Sequence, residues 1–243
     1  MNEPTRLGIV YPDDPWVDQD LQELLDELRR FLPEGAEIVS AHQYVPPGVV
    51  GVQEVIAIAG SPDIEIAAQR LMRFSPACFA YLCTAASFIH GAGHDSEVSD
   101  RIEKATGVPA VTTSSAVLRA LRTLDVSNVA TATPYVDALD QKLTSFLEGN
   151  GLNVVNRNPL ALTHDHGLHP IETVRQAVVD TDRPEADGIF VSCTGLKTSA
   201  IIDDLERMLG KPVITANQAT MWSALQLAGL QARLPELGQL FRS

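Results

Sequence analysis

The chain contains 243 residues, of which 45% are hydrophobic and 20% are charged, and its formal net charge is −13. It is long enough for one large domain or two small ones, and no apolar run approaches the roughly 18 residues of a membrane-spanning helix. The negative charge, without a cluster of Lys and Arg, argues against a nucleic-acid partner. The polar N-terminus leads directly into a strand, so we expect no signal peptide, no membrane association and a cytoplasmic location.

Strands and helices are predicted to alternate through the first half of the chain. The predicted strands cover 7–11, 36–41, the run ending at Cys83, and 109–112, and the predicted helices cover 17–31, 63–74, 96–105 and 115–121. The segment Val45-Pro46-Pro47-Gly48 interrupts the pattern, and we predict a long loop from there to Gly60.

The same alternation is predicted again in the second half. The strands cover 128–131, 152–155, the run ending at Cys193, and 212–215, and the helices cover 135–148, a segment ending near 180, 199–209 and 218–227. A polar loop rich in His and Asp is predicted over 157–170. Such alternation predicts an α/β fold whose parallel sheets are covered by helices on both faces. We place the boundary between the halves near 113–127 and expect the last helix to pack back on the first half.

Two short segments of the chain repeat each other and end in Cys-Thr. The segment Phe79-Ala80-Tyr81-Leu82-Cys83-Thr84 corresponds to Ile189-Phe190-Val191-Ser192-Cys193-Thr194. Each thiol therefore lies at the carboxyl end of a strand, where parallel sheets bind ligands. Backbone N–H groups in such turns can stabilise a thiolate, so we expect a lowered pKa for at least one of these cysteines. The third cysteine, Cys78, is predicted to be a buried core residue, and the absence of a Cys-x-x-Cys pair favours reduced thiols.

Two other turns carry candidate ligand contacts. Tyr135 follows Thr133-Pro134 at a strand-to-helix turn, where its hydroxyl faces either water or a substrate carboxylate. Pro12-Asp13-Asp14 occupies the corresponding turn of the first half, where the acidic residues serve either as a helix cap or as a ligand contact.

The histidines do not form a recognisable metal motif. The segment His164-Asp165-His166-Gly167-Leu168-His169 lacks the i, i+4 spacing of a helical zinc site, which favours an exposed loop or a lid over the ligand site. His90 and His94 follow Cys83 in a Gly-rich turn and are interpreted as surface residues that lie close enough in sequence to influence the thiol.

The collected motifs resemble the Asp/Glu racemase superfamily, in the branch that holds maleate cis-trans isomerases and arylmalonate decarboxylases. The strongest match runs over 187–198 and continues through 210–214 to Asn217-Gln218-Ala219 and Trp222. The resemblance implies two flavodoxin-like lobes with parallel sheets, related by a pseudo-twofold axis, with the active site in the cleft between them. We assign residues 1–113 and 219–243 to the first lobe, which carries Cys83, and 114–218 to the second, which carries Cys193.

The resemblance also implies roles for individual residues. Cys83 and Cys193 would be the catalytic cysteines, and no cofactor or metal would be needed. The implied substrate contacts are Pro12, Asp13, Thr84, Ala85, Tyr135, Asp165, Thr194 and Gly195. The decarboxylases of this branch keep only the second-lobe cysteine, so the presence of both favours an isomerase or a racemase.

The sequence departs from the maleate isomerase pattern in two segments. Asp13 and Asp14 follow Pro12 where that pattern has a carboxylate-binding Asn, and a second expected Asn falls near His164-Asp165, so we expect a substrate other than maleate. The leading interpretation is a cofactor-independent isomerase or racemase of a small carboxylate, assembled as a homo-oligomer. The alternatives are a malonate-type decarboxylase of the same superfamily and a non-catalytic protein that binds small carboxylates.

Overall fold

The computed structural model of the protein describes residues 3–13, 18–45, 51–162 and 169–242. Residues 13 and 18–21 are described by their backbone only. Strands and helices alternate through the first half as predicted. Its strands are β1 (Thr5–Asp13), β2 (Ala36–Tyr44), β3 (Cys78–Tyr81) and β4 (Ala110–Thr112). Its helices are α1 (Asp18–Arg29), α2 (Val52–Gly60), α3 (Asp63–Leu71), α4 (Thr84–Phe88), α5 (His94–Thr106) and α6 (Thr113–Thr123).

The second half repeats this order. Its strands are β5 (Asn128–Thr133), β6 (Asn153–Pro159), β7 (Gly188–Val191) and β8 (Val213–Thr215). Its helices are α7 (Asp137–Gly149), α8 (Ile171–Thr181), α9 (Ile202–Leu209) and α10 (Ala216–Leu227). Short 3₁₀ turns follow α3 and form part of the C-terminal segment.

Two parallel four-stranded sheets confirm the predicted α/β fold. Their strand orders are β2-β1-β3-β4 and β6-β5-β7-β8, so the second sheet reproduces the topology of the first. The central strands β3 and β7 are buried along their whole length, as expected when helices cover both faces of a parallel sheet. This repeated order places the segments after β3 and β7 at equivalent positions, each at the carboxyl edge of its sheet.

The prediction of an unbroken loop from Val45 to Gly60 is wrong over its second part. Residues 52–60 form α2, which buries Val55, Ile58 and Ala59 against the core. The Glu54 carboxylate accepts a hydrogen bond from the Gly51 backbone N–H at 3.1 Å and so caps the helix start. The nearly uniform apolar character of this segment hides the helical period on which the prediction relied.

Helices α6 and α10, which end the two halves, pack against each other. The Thr220 hydroxyl donates to the Thr113 hydroxyl at 3.0 Å across this contact, and Cys78 Sγ donates to the Ala224 carbonyl at 3.2 Å. Helix α10 also contacts β3 and β4, so the expectation that it packs back on the first half is confirmed. The exact lobe boundaries, 1–113 with 219–243 and 114–218, stay a prediction.

None of the helices in the described part of the chain is both long and apolar enough to span a membrane.

Strands β1 and β3 pack so closely that one methyl group added at Gly8 is expected to lower the stability of the protein. A Cβ atom added at Gly8 would lie 2.6 Å from two ring carbons of Phe79, whose side chain is fully buried and has no room to move. We expect Gly8→Ala to lower the free energy of unfolding by about 1–3 kcal/mol, the usual cost of overpacking. Urea denaturation measures this.

Gly60→Ala is the matched control, because a Cβ atom there would meet nothing within 4 Å and Gly60 ends a helix. We expect it to leave stability equal or higher, since Ala is favoured over Gly in helices by about 0.5–1 kcal/mol. Equal stability of the two variants would contradict the packing argument.

Candidate active site

The first candidate turn carries Cys83 between β3 and α4. Cys83 is the N-cap residue of α4 in an extended conformation, and the backbone N–H groups of Ala85 and Ala86 point at its sulfur. Ser87 Oγ lies 2.8 Å from the Cys83 carbonyl and 2.7 Å from Ser114 Oγ, which ties the turn to α6. Hydroxyl groups from two helices therefore hold the backbone that carries this thiol.

The second candidate turn carries Cys193 in a conformation that few residues adopt. Its φ is 89°, in the left-handed region, which costs a residue other than glycine of order 1–3 kcal/mol. The buried Asn217 amide holds the turn by donating to the carbonyls of Thr194 at 3.0 Å and Leu196 at 3.2 Å. Cys193 is followed by a loop, and the next helix, α9, begins at Ile202.

Helix α1 fixes the segment that follows Cys193. The buried Glu27 carboxylate accepts hydrogen bonds from the backbone N–H groups of Thr198 and Ser199, each at 2.8 Å, and from the Ser199 hydroxyl at 2.6 Å. An ion pair between Lys197 and Glu23 lies beside them. The first half of the chain thus holds the second thiol's loop in place.

The two cysteine turns meet each other. The Thr194 hydroxyl donates to the Leu82 carbonyl at 3.4 Å, which joins the residue after Cys193 to the residue before Cys83. The thiols lie close enough for a negative charge on Cys193 to raise the pKa of Cys83. All three cysteines are reduced, and Cys78 lies apart in the core.

Tyr135 lies beside both thiols. It is buried, and its hydroxyl oxygen accepts a hydrogen bond from Ser192 Oγ at 3.2 Å. Burial is the main cause that raises the pKa of Tyr135 well above its ordinary value, and charges on Cys193 and Cys83 raise it further. The phenol is therefore neutral at physiological pH and available as a hydrogen-bond donor to an anion.

Thr84 has a polar atom that the protein does not satisfy. Its side chain is 2% exposed, and its Oγ1 is buried without a hydrogen-bond partner in the described part of the chain. It faces the Tyr135 hydroxyl without forming a hydrogen bond of good geometry with it. A buried hydroxyl normally has a partner, so Thr84 Oγ1 has an unused capacity for hydrogen bonding in this structure.

Burial overturns the expected activation of Cys83. The N–H groups of Ala86 and Ala85 lower its pKa as predicted, but desolvation is larger and raises the pKa to about 12. Two hydrogen bonds to the charged form do not offset the loss of water around the sulfur. Cys83 is thus a protonated thiol at neutral pH, and the expectation of a lowered pKa is wrong for this residue.

Sequence reasoning missed two buried residues behind Cys83. The Tyr81 hydroxyl interacts with the Cys83 thiol and donates to Gln43 Oε1 at 2.8 Å. Gln43 Nε2 in turn donates to the Ile58 carbonyl at 2.6 Å. The available signal was the period of two residues in a strand, which places Tyr81 and Cys83 on the same side of the sheet.

The structure describes some of the remaining predicted substrate contacts and not others. Pro12 ends the described side chains of β1 at the same sheet edge, Ala85 lies in the first turn of α4, and Gly195 follows Thr194 in the Cys193 turn. The Asp13 side chain, Asp14, His164 and Asp165 lie outside the described residues. The predicted roles of all these residues in substrate binding therefore stay predictions.

The histidines that follow Cys83 pack on each other. The rings of His90 and His94 are 4.6 Å apart, and His94 Nδ1 lies 3.2 Å from Glu97 Oε2. Within residues 3–13, 18–45, 51–162 and 169–242, no group of three or more His, Cys, Asp or Glu side chains is arranged to hold a metal ion.

Comparisons with known proteins show which family the chain belongs to. A protein-family model described as arylmalonate decarboxylase matches residues 29–241. The chain belongs to the arylmalonate decarboxylase family. It is 35% identical to the arylmalonate decarboxylase of Bordetella bronchiseptica, over 72% of this chain and 75% of that protein. It is 30% identical to the maleate isomerase of Nocardia farcinica, over 69% of this chain and 70% of the relative.

Solved structures agree with the fold over nearly the whole chain. A double mutant of arylmalonate decarboxylase in its liganded form has a TM-score of 0.85 at 30% identity and covers 98% of this chain and 99% of its own. A mutant of the Nocardia farcinica maleate cis-trans isomerase with a covalently bound succinylcysteine intermediate has a TM-score of 0.86 at 24% identity and covers 98% of each chain. The family is thus enzymatic, and its members include both decarboxylases and isomerases.

The raised pKa of Cys83 predicts how this thiol reacts with iodoacetamide. Only the thiolate reacts, so we expect the alkylation rate at Cys83 to rise roughly tenfold per pH unit from pH 8 to 10 without a plateau. A model thiol, the control, has its midpoint near pH 8.5 and approaches its plateau about one to two pH units higher. Mass spectrometry of the Cys83 peptide against pH measures the profile, and a midpoint at or below 8.5 would show that burial does not dominate.

Proposed function

We propose that this chain is a cofactor-independent isomerase or racemase of a small carboxylate, with Cys83 and Cys193 as the catalytic groups. The observation that carries the proposal is the contact between two equivalent turns, each of which presents a thiol. Two thiols on opposite sides of one carbon atom suit removal of a proton from one face and its return from the other. A decarboxylation needs a proton donor on one face only.

The groups around the thiols are suited to a carboxylate. Thr84 Oγ1 lacks a partner in the described structure, and the neutral Tyr135 phenol lies beside it. Together with the backbone N–H groups of the two turns, these donors can hold the substrate carboxylate and the negative charge that develops when the neighbouring carbon loses a proton. The proposed chemistry also needs a site from which water is excluded, since water would protonate the carbanion.

The protonation of the thiols assigns their roles in the proton-transfer version. Cys83 is a thiol in the free protein, and a charge on Cys193 makes its ionisation harder still. The proposed base is therefore Cys193, which takes the α-proton as a thiolate, while Cys83 gives its proton to the opposite face. In the reverse direction the two roles exchange.

The cis-trans isomerase version uses the same pair differently. Here Cys83 gives its proton to the Cys193 thiolate and adds as a thiolate to one carbon of an activated double bond, and Cys193 then protonates the carbanion at the neighbouring carbon. After rotation about the resulting single bond, Cys193 removes a proton from that carbon, the carbon–sulfur bond breaks, and the double bond forms again. The succinylcysteine intermediate of the Nocardia farcinica isomerase supports this chemistry for a relative. The expectation that the substrate is not maleate stays part of the proposal.

A decarboxylase is the second candidate. The 35% identity to the Bordetella bronchiseptica enzyme and the matching family model favour it. In that reaction a malonate-like acid loses carbon dioxide, and one thiol protonates the carbanion that remains. The second thiol would then have no role in turnover.

Incubation with a panel of small carboxylates in deuterated water distinguishes the candidates. A racemase introduces deuterium at the α-carbon and destroys optical activity, and a cis-trans isomerase changes the ultraviolet absorbance of an unsaturated acid. A decarboxylase releases carbon dioxide and leaves one deuterium in the product. Binding of a carboxylate without any of these changes would refute an enzymatic role.

Replacement of each thiol tests the two-cysteine mechanism. We expect Cys83→Ser and Cys193→Ser to lower turnover of the identified substrate about 10²–10⁴-fold or more, the usual contribution of proton transfer by a positioned group. Cys78→Ser is the control, because a serine there can still donate to the Ala224 carbonyl in the core. A Cys83→Ser variant with normal turnover would favour the decarboxylase.

Removal of the Tyr135 hydroxyl tests the carboxylate contact. Tyr135→Phe keeps the ring packed edge-to-face on Phe88 at 5.9 Å but removes the donor. We expect kcat/KM to fall about 10–100-fold, in line with the loss of a hydrogen bond to a charged group. Ser145→Ala, which changes an exposed hydroxyl on α7 whose partner is the Gln141 carbonyl, should leave kcat/KM unchanged. Steady-state kinetics of the two variants measure the difference, and an unchanged value for Tyr135→Phe would remove Tyr135 from the site.

A further inference from the structure

The hydrogen bonds behind Cys83 have a direction that one backbone group determines. The Ile58 carbonyl can only accept, so the Gln43 amide must turn its NH₂ group towards it at 2.6 Å. Gln43 Oε1 then faces the Tyr81 hydroxyl at 2.8 Å and can only accept in turn. The single proton of the Tyr81 hydroxyl is thereby committed to Gln43.

This commitment decides what Tyr81 can offer to the sulfur. A phenol that donates to Cys83 lowers the pKa of the thiol, because it stabilises the thiolate. With its proton directed to Gln43, the Tyr81 hydroxyl has no proton left for the sulfur, and an oxygen lone pair is what it can offer to the S–H of a protonated Cys83. Tyr81 and Gln43 are both fully buried, so water does not supply a substitute donor.

We propose that Gln43 is a positioning residue that keeps the Cys83 thiol protonated by holding the proton of the Tyr81 hydroxyl away from the sulfur. The inference rests on the proposed function for its purpose, since it explains how one of two neighbouring thiols is kept as the proton donor. It makes Gln43 and Tyr81 part of the site, although neither is expected to touch the substrate.

The charged side chains around Tyr81 do not by themselves determine where its hydroxyl directs its proton. Arg101 lowers the pKa of Tyr81 and Glu65 raises it, and these two form a two-pronged ion pair with N–O distances of 2.7 and 2.8 Å. Their effects on Tyr81 therefore oppose each other. Cys193 and Tyr135 are further ionisable neighbours of Cys83.

Gln43→Met removes the acceptor with little change in volume. The Ile58 carbonyl keeps a second donor, the Ser61 backbone N–H at 3.3 Å, so the substitution leaves no buried carbonyl without a partner. The Tyr81 hydroxyl can then turn its proton to the sulfur and stabilise the thiolate. We expect the pH profile of Cys83 alkylation by iodoacetamide, read by mass spectrometry of the Cys83 peptide, to move at least one unit lower.

Tyr81→Phe supplies the matched control, alone and combined with Gln43→Met. Because the parent hydroxyl gives no proton to the sulfur, Tyr81→Phe alone should not lower the alkylation rate at Cys83. In the double variant the effect of Gln43→Met should disappear. Circular dichroism at each pH shows that every variant stays folded, and Gln43→Leu replaces Gln43→Met if the latter does not fold.

Three results would overturn the inference. They are an unchanged Cys83 profile in Gln43→Met, a shift that persists without the Tyr81 hydroxyl, and a tenfold or greater loss of alkylation rate in Tyr81→Phe alone. All measurements are made without substrate. The inference can therefore fail while the carboxylate chemistry is found, and it can hold in a protein that turns over none of the acids tested.

Discussion

Removal of water from the Cys83 turn is the constraint on which the rest of the site depends. Raising the thiol pKa from an ordinary value to about 12 corresponds to roughly 4 kcal/mol against the thiolate. The two backbone N–H groups at the sulfur belong to the kind of charge-assisted hydrogen bond that contributes about 1.5–3 kcal/mol each. The raised pKa already includes both hydrogen bonds, so the effect of burial exceeds their combined effect. Burial that raises the pKa of the thiol also makes it a poorer nucleophile at neutral pH, and the proposed carbanion chemistry needs the rest of the site to exclude water as well.

The repeated topology gives the two thiols equivalent positions but different surroundings. Cys83 caps a helix in an extended conformation, whereas Cys193 has a φ of 89° and is followed by a loop that Asn217 and Glu27 hold from other elements. A strained residue persists only where its surroundings determine it strongly. The pseudo-twofold repeat therefore places the sulfurs, and the loops after them break the symmetry. In the proposed acid–base chemistry one group holds a proton while the other lacks it, and unequal surroundings favour one of these two arrangements in the free protein.

The sequence predicted the fold well and the electrostatics of the site poorly. Strand ends, the Cys-Thr repeat and the return of the last helix were all readable, because buried strands and amphipathic helices leave periodic patterns in a single chain. Helix α2 was missed, since its apolar residues show no such period. The protonation of Cys83 was also missed, because it depends on how deeply the turn is buried and on where Tyr81 directs its hydroxyl. Gln43 is distant in sequence and reaches Tyr81 across β1, a contact that no local pattern encodes.

The charge on one thiol opposes the charge on the other, so the pair tends to hold at least one proton. Mutual repulsion alone does not say which sulfur keeps it, because that effect is the same in both directions. The decision has to come from a feature that acts on one side only. The hydrogen-bond chain from the Ile58 carbonyl through Gln43 to Tyr81 is such a feature, since the Tyr81 hydroxyl interacts with the Cys83 thiol. In the proposed reaction, this chain would act together with burial and favour Cys83 as the first proton donor and Cys193 as the first base.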